Sequence, residues 1–206
     1  MCWYQILALV SLVFCVGHLT FHLLRLIRLG KPHDYAPASG KVGPAVQYSF
    51  TGAMSPGKKE SAYLHLPTYG AGIIYHLGTF LSILLFFILL FVFPFTGLFR
   101  WIFSVFLFIS VACGVGILIK RMVKKGLNDL SNPDDYISNI LVTLFQLMTA
   151  IVLILPFMAP VYFIVVSLFL LYFPMGKLKH VLYFFAARYH LGFFYGRRGV
   201  WPPKPL

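Results

Sequence analysis

Long apolar stretches alternate with short polar ones through most of the chain, and prolines stand at several of the boundaries. A run of about 20 apolar residues is long enough to cross the hydrocarbon core of a bilayer as a helix. Five such runs lie approximately at residues 3–26, 71–93, 98–119, 137–155 and 161–173, and the helix of the last is expected to continue to about residue 180. The pattern predicts an all-α integral membrane protein, a single five-transmembrane-helix bundle over residues 1–206.

Two polar regions interrupt this pattern. Residues 31–68 are rich in Gly, Pro and Ser, which is typical of a loop with little regular structure. A loop of that length in a compact protein is usually functional or an interaction surface. We expect the fifth helix to continue past Pro174. Residues 181–206 are then expected to form an aromatic-rich tail.

The charges indicate how the chain is oriented. The sequence is 60% hydrophobic and only 11% charged, which excludes an ordinary soluble domain. Its net charge of +12 would be compatible with nucleic-acid binding, but every Lys and Arg except Arg100 falls in residues 25–59, 120–125 or 177–204. With five spans, those blocks lie on one side of the membrane. The positive-inside rule then predicts an outside N-terminus and a cytoplasmic C-terminus. We expect a multi-pass protein of a bacterial or archaeal cytoplasmic membrane.

The sequence SNPDDY predicts the start of the fourth helix. Ser131 or Asn132 is the expected N-cap, with Pro133 in the first turn. Asp134 and Asp135 complement the positive end of the helix dipole. Helix capping alone explains these residues.

A polar stripe follows the same helix at Asn139, Thr143, Gln146 and Ala150. Polar side chains at membrane depth normally face other helices and form hydrogen bonds with them. The functional alternative is that the stripe lines a quinone or cofactor pocket.

Two of the seven histidines lie at matched depth on different predicted helices, near the cytoplasmic face. These are His76 and His180, and two such imidazoles are what a b-type haem needs, one on each side of the iron. His22 is the competing ligand, because it too lies near the inner face. The alternative is that each histidine forms only hydrogen bonds within the bundle, although intramembrane ionisable groups are by default functional candidates.

Other residues near that face would complete a haem pocket. Gly72 and Gly78 would let a flat macrocycle approach the backbone of the second helix. Four cationic side chains are candidates for pairing with the haem propionates: Arg121, Lys177, Lys179 and Arg188.

Three short motifs resemble a known family. They are YHLG at 75–78, DDYISNILV at 134–142 after the basic third loop, and FPMGKLKH at 173–180. They are similar to the cytochrome b membrane subunits typified by the gamma subunit of respiratory nitrate reductase, which include the membrane subunits of heterodisulfide reductase. The tail sequence YGRRGVW at 195–201 resembles the sulfur-metabolism branch. The resemblance implies haem ligation by His76 and His180.

The resemblance also bears on the number of haems. Nitrate-reductase-type members hold a second haem nearer the outside, and the positions of its two ligands are Phe86 and Tyr162 in this chain. Independently, no histidine falls in the outer half of any predicted helix. We therefore expect one haem b, on the cytoplasmic side.

These features predict a haem b-containing membrane anchor subunit of a respiratory oxidoreductase complex. It would transfer electrons between the membrane quinone or menaquinone pool and a cytoplasmic iron–sulfur subunit of the heterodisulfide-reductase type. Candidate contacts for the quinone head are His18, His22, Tyr69 and Gln146. A haem-free structural anchor and a small-molecule transporter are the alternatives. The chain carries no pattern for a terminal-substrate site of its own.

Overall fold

The computed structural model describes residues 1–30, 34–58, 62, 64–92 and 97–203. Within these ranges every regular element is helical, as the apolar runs predict. The chain forms two compact units. Unit 1 comprises Met1–His18 and Pro67–Leu178, and unit 2 comprises Leu19–Leu66 and Lys179–Leu206.

We number the α-helices in chain order. They are α1 (Trp3–Arg28), α2 (Val42–Phe50), α3 (Leu66–Phe91), α4 (Leu98–Val123), α5 (Lys125–Asn128), α6 (Pro133–Ile154), α7 (Ala159–Tyr172) and α8 (His180–Arg197). Short 3₁₀ turns lie at Gly52–Met54, Pro56–Lys58, Pro156–Met158 and Lys177–Lys179.

Four of the described helices are long and apolar enough to cross a membrane, namely α1, α3, α4 and α6. A fifth is added only if Pro156–Tyr172 and Lys177–Arg197 together form one broken span. The observed helices extend the predicted spans at their polar ends: α3 begins at Leu66 and α4 continues to Val123. The predicted end of the second span, Phe93, lies outside the described residues.

The expected continuation of the fifth span through Pro174 to residue 180 is wrong. Helix α7 ends at Tyr172. The carbonyl oxygen of Tyr172 accepts hydrogen bonds from the backbone N–H groups of Met175 (3.0 Å) and Gly176 (2.9 Å). Pro174 has no N–H to continue the helical ladder, so the chain turns here and a new helix begins at His180.

Helix α6 is the most buried of the four candidate spans. In the most apolar 18-residue stretch of α6, 56% is buried, whereas the corresponding share is 17–33% in α1, α3 and α4. Aromatic rings fill the core of unit 1 around it, including Phe145 stacked on Phe169 at 4.7 Å between ring centroids. The first part of α1 is attached to this unit by the ring of Tyr4, stacked at 5.5 Å on Phe163.

Unit 2 corrects the prediction that residues 31–68 have little regular structure and that residues 181–206 form only a tail. Helix α2 lies within the first segment and packs closely on α8, which occupies most of the second. Small residues permit the close approach. A Cβ on Gly192 would lie 2.5 Å from Val46 Cα, and one on Gly196 would lie 2.5 Å from the Cβ of Ala45.

A carboxylate attaches the start of the polar segment to the end of α8. Asp34 accepts hydrogen bonds from both terminal nitrogens of Arg198, at 2.7 and 3.2 Å. The guanidinium of Arg197 donates to the carbonyl of Ala36 at 2.9 Å, and the N–H of Ser39 donates to the Arg197 carbonyl at 2.8 Å. These contacts order a segment that composition alone predicts to be irregular.

We expect the substitution Gly192→Ala to loosen α2 from α8. Alanine favours a helix over glycine by about 1 kcal/mol, but here the added Cβ meets the backbone of Val46, and overpacking costs about 1–3 kcal/mol. Hydrogen exchange of the amides in residues 42–50 should therefore become faster. Gly17→Ala is the matched control, because a Cβ at this helical glycine meets nothing within 4 Å. Equal exchange in the two variants would contradict the close contact.

We expect the attachment at Asp34 to depend on pH. The N–H of Ala36 and the guanidinium groups of Arg198 and Arg197 lower the pKa of the Asp34 carboxyl. The attachment is therefore fully present above the ordinary carboxyl pKa of about 4, and it is lost as the pH falls through the lowered pKa. The protection factor of the Ala36 amide, its exchange rate relative to that of an unstructured amide at the same pH, should fall below that pH in the native chain. Asp34→Asn should remove this pH dependence, and an unchanged profile in that variant would refute the assignment.

Candidate functional site

His76 lies on the outward face of α3. Its side chain is exposed, as are those of Ile73 and Phe80 on the same face. Gly72 is one turn earlier on this face, and a Cβ there would meet nothing within 4 Å. An imidazole and a bare stretch of backbone therefore lie side by side on the surface of a candidate membrane helix.

Contacts within unit 1 indicate the level of His76 along α3. The ammonium of Lys120, near the end of α4, donates to the hydroxyl of Thr68 near the start of α3. His76 follows Thr68 by eight residues, which is about 12 Å along a helix. The imidazole therefore lies in the half of α3 that is nearer to the basic third loop.

Gly78 faces the opposite way, into unit 1. A Cβ at this position would lie 2.5 Å from Ser110 Cβ and 2.9 Å from the side-chain oxygen of Gln146. Close packing of α3 against α4 and α6 therefore requires glycine here, whether or not a macrocycle lies nearby.

The side chain of Gln146, fully buried, joins three helices. Its oxygen accepts a hydrogen bond from Ser110 of α4 at 2.6 Å. Its amide nitrogen donates to the hydroxyl of Thr79 at 2.8 Å and to the carbonyl of Tyr75 at 3.1 Å, both on α3. The structure thus bears out the interhelical role for Gln146, and a contact with a quinone would require these hydrogen bonds to break.

The polar stripe of α6 continues on both sides of Gln146. The hydroxyl of Tyr75 donates to the carbonyl of Asn139 at 3.0 Å and lies 2.9 Å from the hydroxyl of Thr143. Farther along α6, the hydroxyl of Ser104 donates to the carbonyl of Ala150 at 3.0 Å. We call these residues, with Gln146, Ser110 and Thr79, the polar seam.

Sequence reasoning found the α6 side of the polar seam but not its partners. Tyr75 and Thr79 are spaced i, i+4 on α3, which places them on one helix face. That spacing was the available signal. It could not be interpreted without knowing which helix lies opposite.

The start of α6 carries the predicted cap. Asn132 is the N-cap, its side chain accepts from the N–H of Asp135 at 3.0 Å, and Asp135 accepts in return from the N–H of Asn132 at 3.1 Å. The buried carboxylate of Asp135 also forms ion pairs with Arg121 at 3.6 Å and with Lys177.

These ion pairs affect the predicted propionate-binding residues. Arg121 also donates to the hydroxyl of Ser131 at 3.0 Å, and about a third of its side chain is exposed. Half of the Lys177 side chain is exposed. Both cations therefore contact Asp135 while keeping part of their surface open to a further anion.

The predicted ligand His180 and the predicted propionate-binding cations Lys179 and Arg188 belong to unit 2. His180 is the first residue of α8 and is exposed, and Lys179 precedes it. Arg188 contacts the sulfur of Met54 and lies 5.7 Å from the ring centroid of Phe184. Because His76 and His180 lie in different units, their pairing across an iron remains a prediction.

The remaining candidates are distributed over both units. His22 is in unit 2, with its Nδ1 atom 3.2 Å from the hydroxyl of Tyr183. His18 and Tyr69 are in unit 1 and are half-buried. The ring of His18 lies 5.8 Å from that of Phe14.

Aromatic side chains occupy the two positions at which the resembled family holds a second haem. Phe86 and Tyr162 are both buried in unit 1. The Phe163 ring packs against both, with its centroid 6.5 Å from Phe86 and 5.0 Å from Tyr162. The core is therefore filled at these positions.

Within the described ranges, no group of three or more His, Cys, Asp or Glu side chains is arranged to hold a metal ion. Comparison of the chain with protein-family models, with curated proteins and with solved structures finds no match.

We expect the substitution Gln146→Met to destabilise unit 1. Methionine keeps the length of the side chain but removes three interhelical hydrogen bonds, and such bonds in membrane proteins are worth about 0.5–2 kcal/mol. The unfolding free energy in mixed detergent micelles measures the loss, with Leu147→Met on the same helix as the matched control. A double-mutant cycle with Ser110→Ala should give a coupling of about 0.6 kcal/mol. A coupling of zero would contradict the direct hydrogen bond.

Proposed function

We propose that this chain is a membrane anchor subunit of a respiratory oxidoreductase complex and that it holds one haem b near the cytoplasmic face. The observation that carries the proposal is the outward face of α3. There an exposed imidazole, His76, lies one turn from the open backbone of Gly72, in the half of the helix nearer to the basic loop. An imidazole with open backbone beside it is suitable for ligating the iron of a flat macrocycle.

The residues of the proposed site are of the chemical types that a b-type haem requires. His76 and His180 would be the axial ligands, and both are exposed. Arg121, Lys177, Lys179 and Arg188 would pair with the propionates. A bound haem b would supply one-electron redox chemistry.

Filled packing at Phe86 and Tyr162 supports a single haem rather than two. The chain's own residues would then hold and orient the cofactor and set the polarity around it. The electron partners would be a quinone in the bilayer and a cytoplasmic iron–sulfur subunit.

The proposed topology has five spans, with the N-terminus outside and the C-terminus in the cytoplasm. It follows from the distribution of Lys and Arg, and its fifth span begins at Pro156, in the first helix of the broken pair. A cytoplasmic partner would then meet unit 2, which contains most of the basic residues of the first loop and of the C-terminal segment.

A haem-free membrane anchor is the second candidate. The ion pairs of Arg121 and Lys177 with Asp135 favour it, because they give two of the proposed propionate-binding cations a structural role. The internal hydrogen bonds of the polar seam are equally compatible with a purely structural bundle.

The absorption spectrum of the purified chain, expressed with sufficient haem, separates the two candidates. We expect low-spin b-type bands in the native chain and their loss in His76→Ala and in His180→Ala. His65→Ala is the control, since His65 is exposed and lies outside the proposed site.

A colourless native preparation would refute the haem proposal and favour the haem-free anchor. If His22→Ala loses the bands while His180→Ala keeps them, the function stands but the second ligand is His22. Retention of the bands in both His76→Ala and His180→Ala would refute the ligand pair.

A further inference from the structure

A groove of about 700 Å³ runs beside α8 in unit 2. Its volume lies within the range of small-molecule sites, which are typically apolar with a few polar groups. Ala187, Leu191 and Phe194 are among its apolar lining residues, and Asp34, His190 and Arg198 are its polar ones.

The groove has the length of a hydrocarbon chain. Its lining residues on α8 and just beyond extend from Ala187 to Arg198, which corresponds to about 16 Å along a helix. Phe194 and Leu191 are exposed along it, at 46% and 40%. The guanidinium of Arg198 covers the ring of Phe194, 3.7 Å from its centroid.

The polar end of the groove belongs to an ion-pair cluster with one excess positive charge, and Asp34 and Arg198 are the members of that cluster that line the groove. Two guanidinium groups, those of Arg197 and Arg198, are paired with the single carboxylate of Asp34. About a third of each Arg side chain remains exposed. His190 adds an exposed imidazole that can donate to an anion.

The carbonyl groups at the end of α8 do not oppose an anion there. A helix C-terminus normally presents unsatisfied carbonyls and a partial negative charge. Here the carbonyl of Phe194 accepts from Arg198, and that of Tyr195 from the N–H of Val200. The carbonyl of Gly196 likewise accepts from the N–H of Gly199.

We propose that this groove binds an anionic phospholipid, with one acyl chain along Ala187, Leu191 and Phe194 and the phosphate beside Arg198 and His190. Charge complementarity selects an anionic headgroup. The apolar lining selects a hydrocarbon chain, and phospholipid is the amphiphile that a protein with bilayer-spanning helices meets in its surroundings. This site is independent of the haem proposal.

Native mass spectrometry of the full chain in detergent tests the site. The protein is titrated with phosphatidylglycerol and with phosphatidylcholine of the same acyl chains. One excess cationic side chain should favour phosphatidylglycerol by about fivefold. Equal retention of the two lipids by the native chain would overturn the proposal.

Two variants localise the binding. Ala187→Trp should fill the groove and reduce retention of both lipids at least fivefold, whereas Val181→Trp, an exposed position of α8 that does not line the groove, should not. If these two variants retain lipid equally, the groove is not the site.

Further variants test the contribution of charge to the lipid preference. Arg198→Gln should remove the preference for phosphatidylglycerol, and Lys41→Gln, another exposed cation of unit 2, should leave it unchanged. Asp34→Asn should raise the preference, because it frees Arg198 from its carboxylate. This opposite effect distinguishes headgroup recognition from a general loss of structure, and a fall in preference with Asp34→Asn would contradict the assignment.

Discussion

The buried hydrogen bonds of Gln146 are the interaction on which the architecture of unit 1 depends. In a bilayer, lipid tails are as apolar as leucine side chains, so apolar burial alone does not favour one helix arrangement over another. Gln146 uses its oxygen and its amide nitrogen on two other helices, and Gly78 brings α3 close enough for this to occur. In the structure α3 is rotated so that Tyr75, Gly78 and Thr79 make these contacts.

That rotation assigns different roles to the two faces of α3. The inner face carries Tyr75, Gly78 and Thr79, whose hydrogen-bonding groups and contact surface are used by α4 and α6. The outer face carries His76, whose side chain is exposed, and Gly72, where a Cβ would meet nothing within 4 Å. Two glycines that look equivalent in the sequence therefore differ, because Gly78 is required by packing and Gly72 is not.

Features of the fold that depend on residues close together in the sequence could be predicted, and features that depend on distant segments could not. The cap at Asn132 and Asp135 follows from residues three apart in the sequence, and the apolar spans follow from length and hydropathy. The packing of α2 on α8 was missed because it joins distant segments: α2 ends at Phe50 and α8 begins at His180, 130 residues later. Its sequence signal, Ala45 and Ser49 facing Gly192 and Gly196, is a pair of small-residue repeats that has meaning only once the two helices are known to be neighbours.

The site was predictable to the same extent. Residue type and predicted depth selected His76 and the stripe on α6, but not the partners of that stripe on α3 and α4. The end of α7 shows a different limit. Pro174 was visible in the sequence, yet a proline is compatible with either a kink or a break. The backbone N–H groups of Met175 and Gly176, which both bond to Tyr172, decide between the two.

Each unit pairs one carboxylate with two cations. Asp135 contacts Arg121 and Lys177 in unit 1, and Asp34 contacts Arg197 and Arg198 in unit 2. With 17 basic and five acidic residues in the chain, such clusters retain positive charge after their internal pairing. Because that charge is partly exposed, the same excess underlies both proposals: propionates would balance it in the first cluster and a lipid phosphate in the second. In both proposals the anion would add to an existing ion pair rather than replace it.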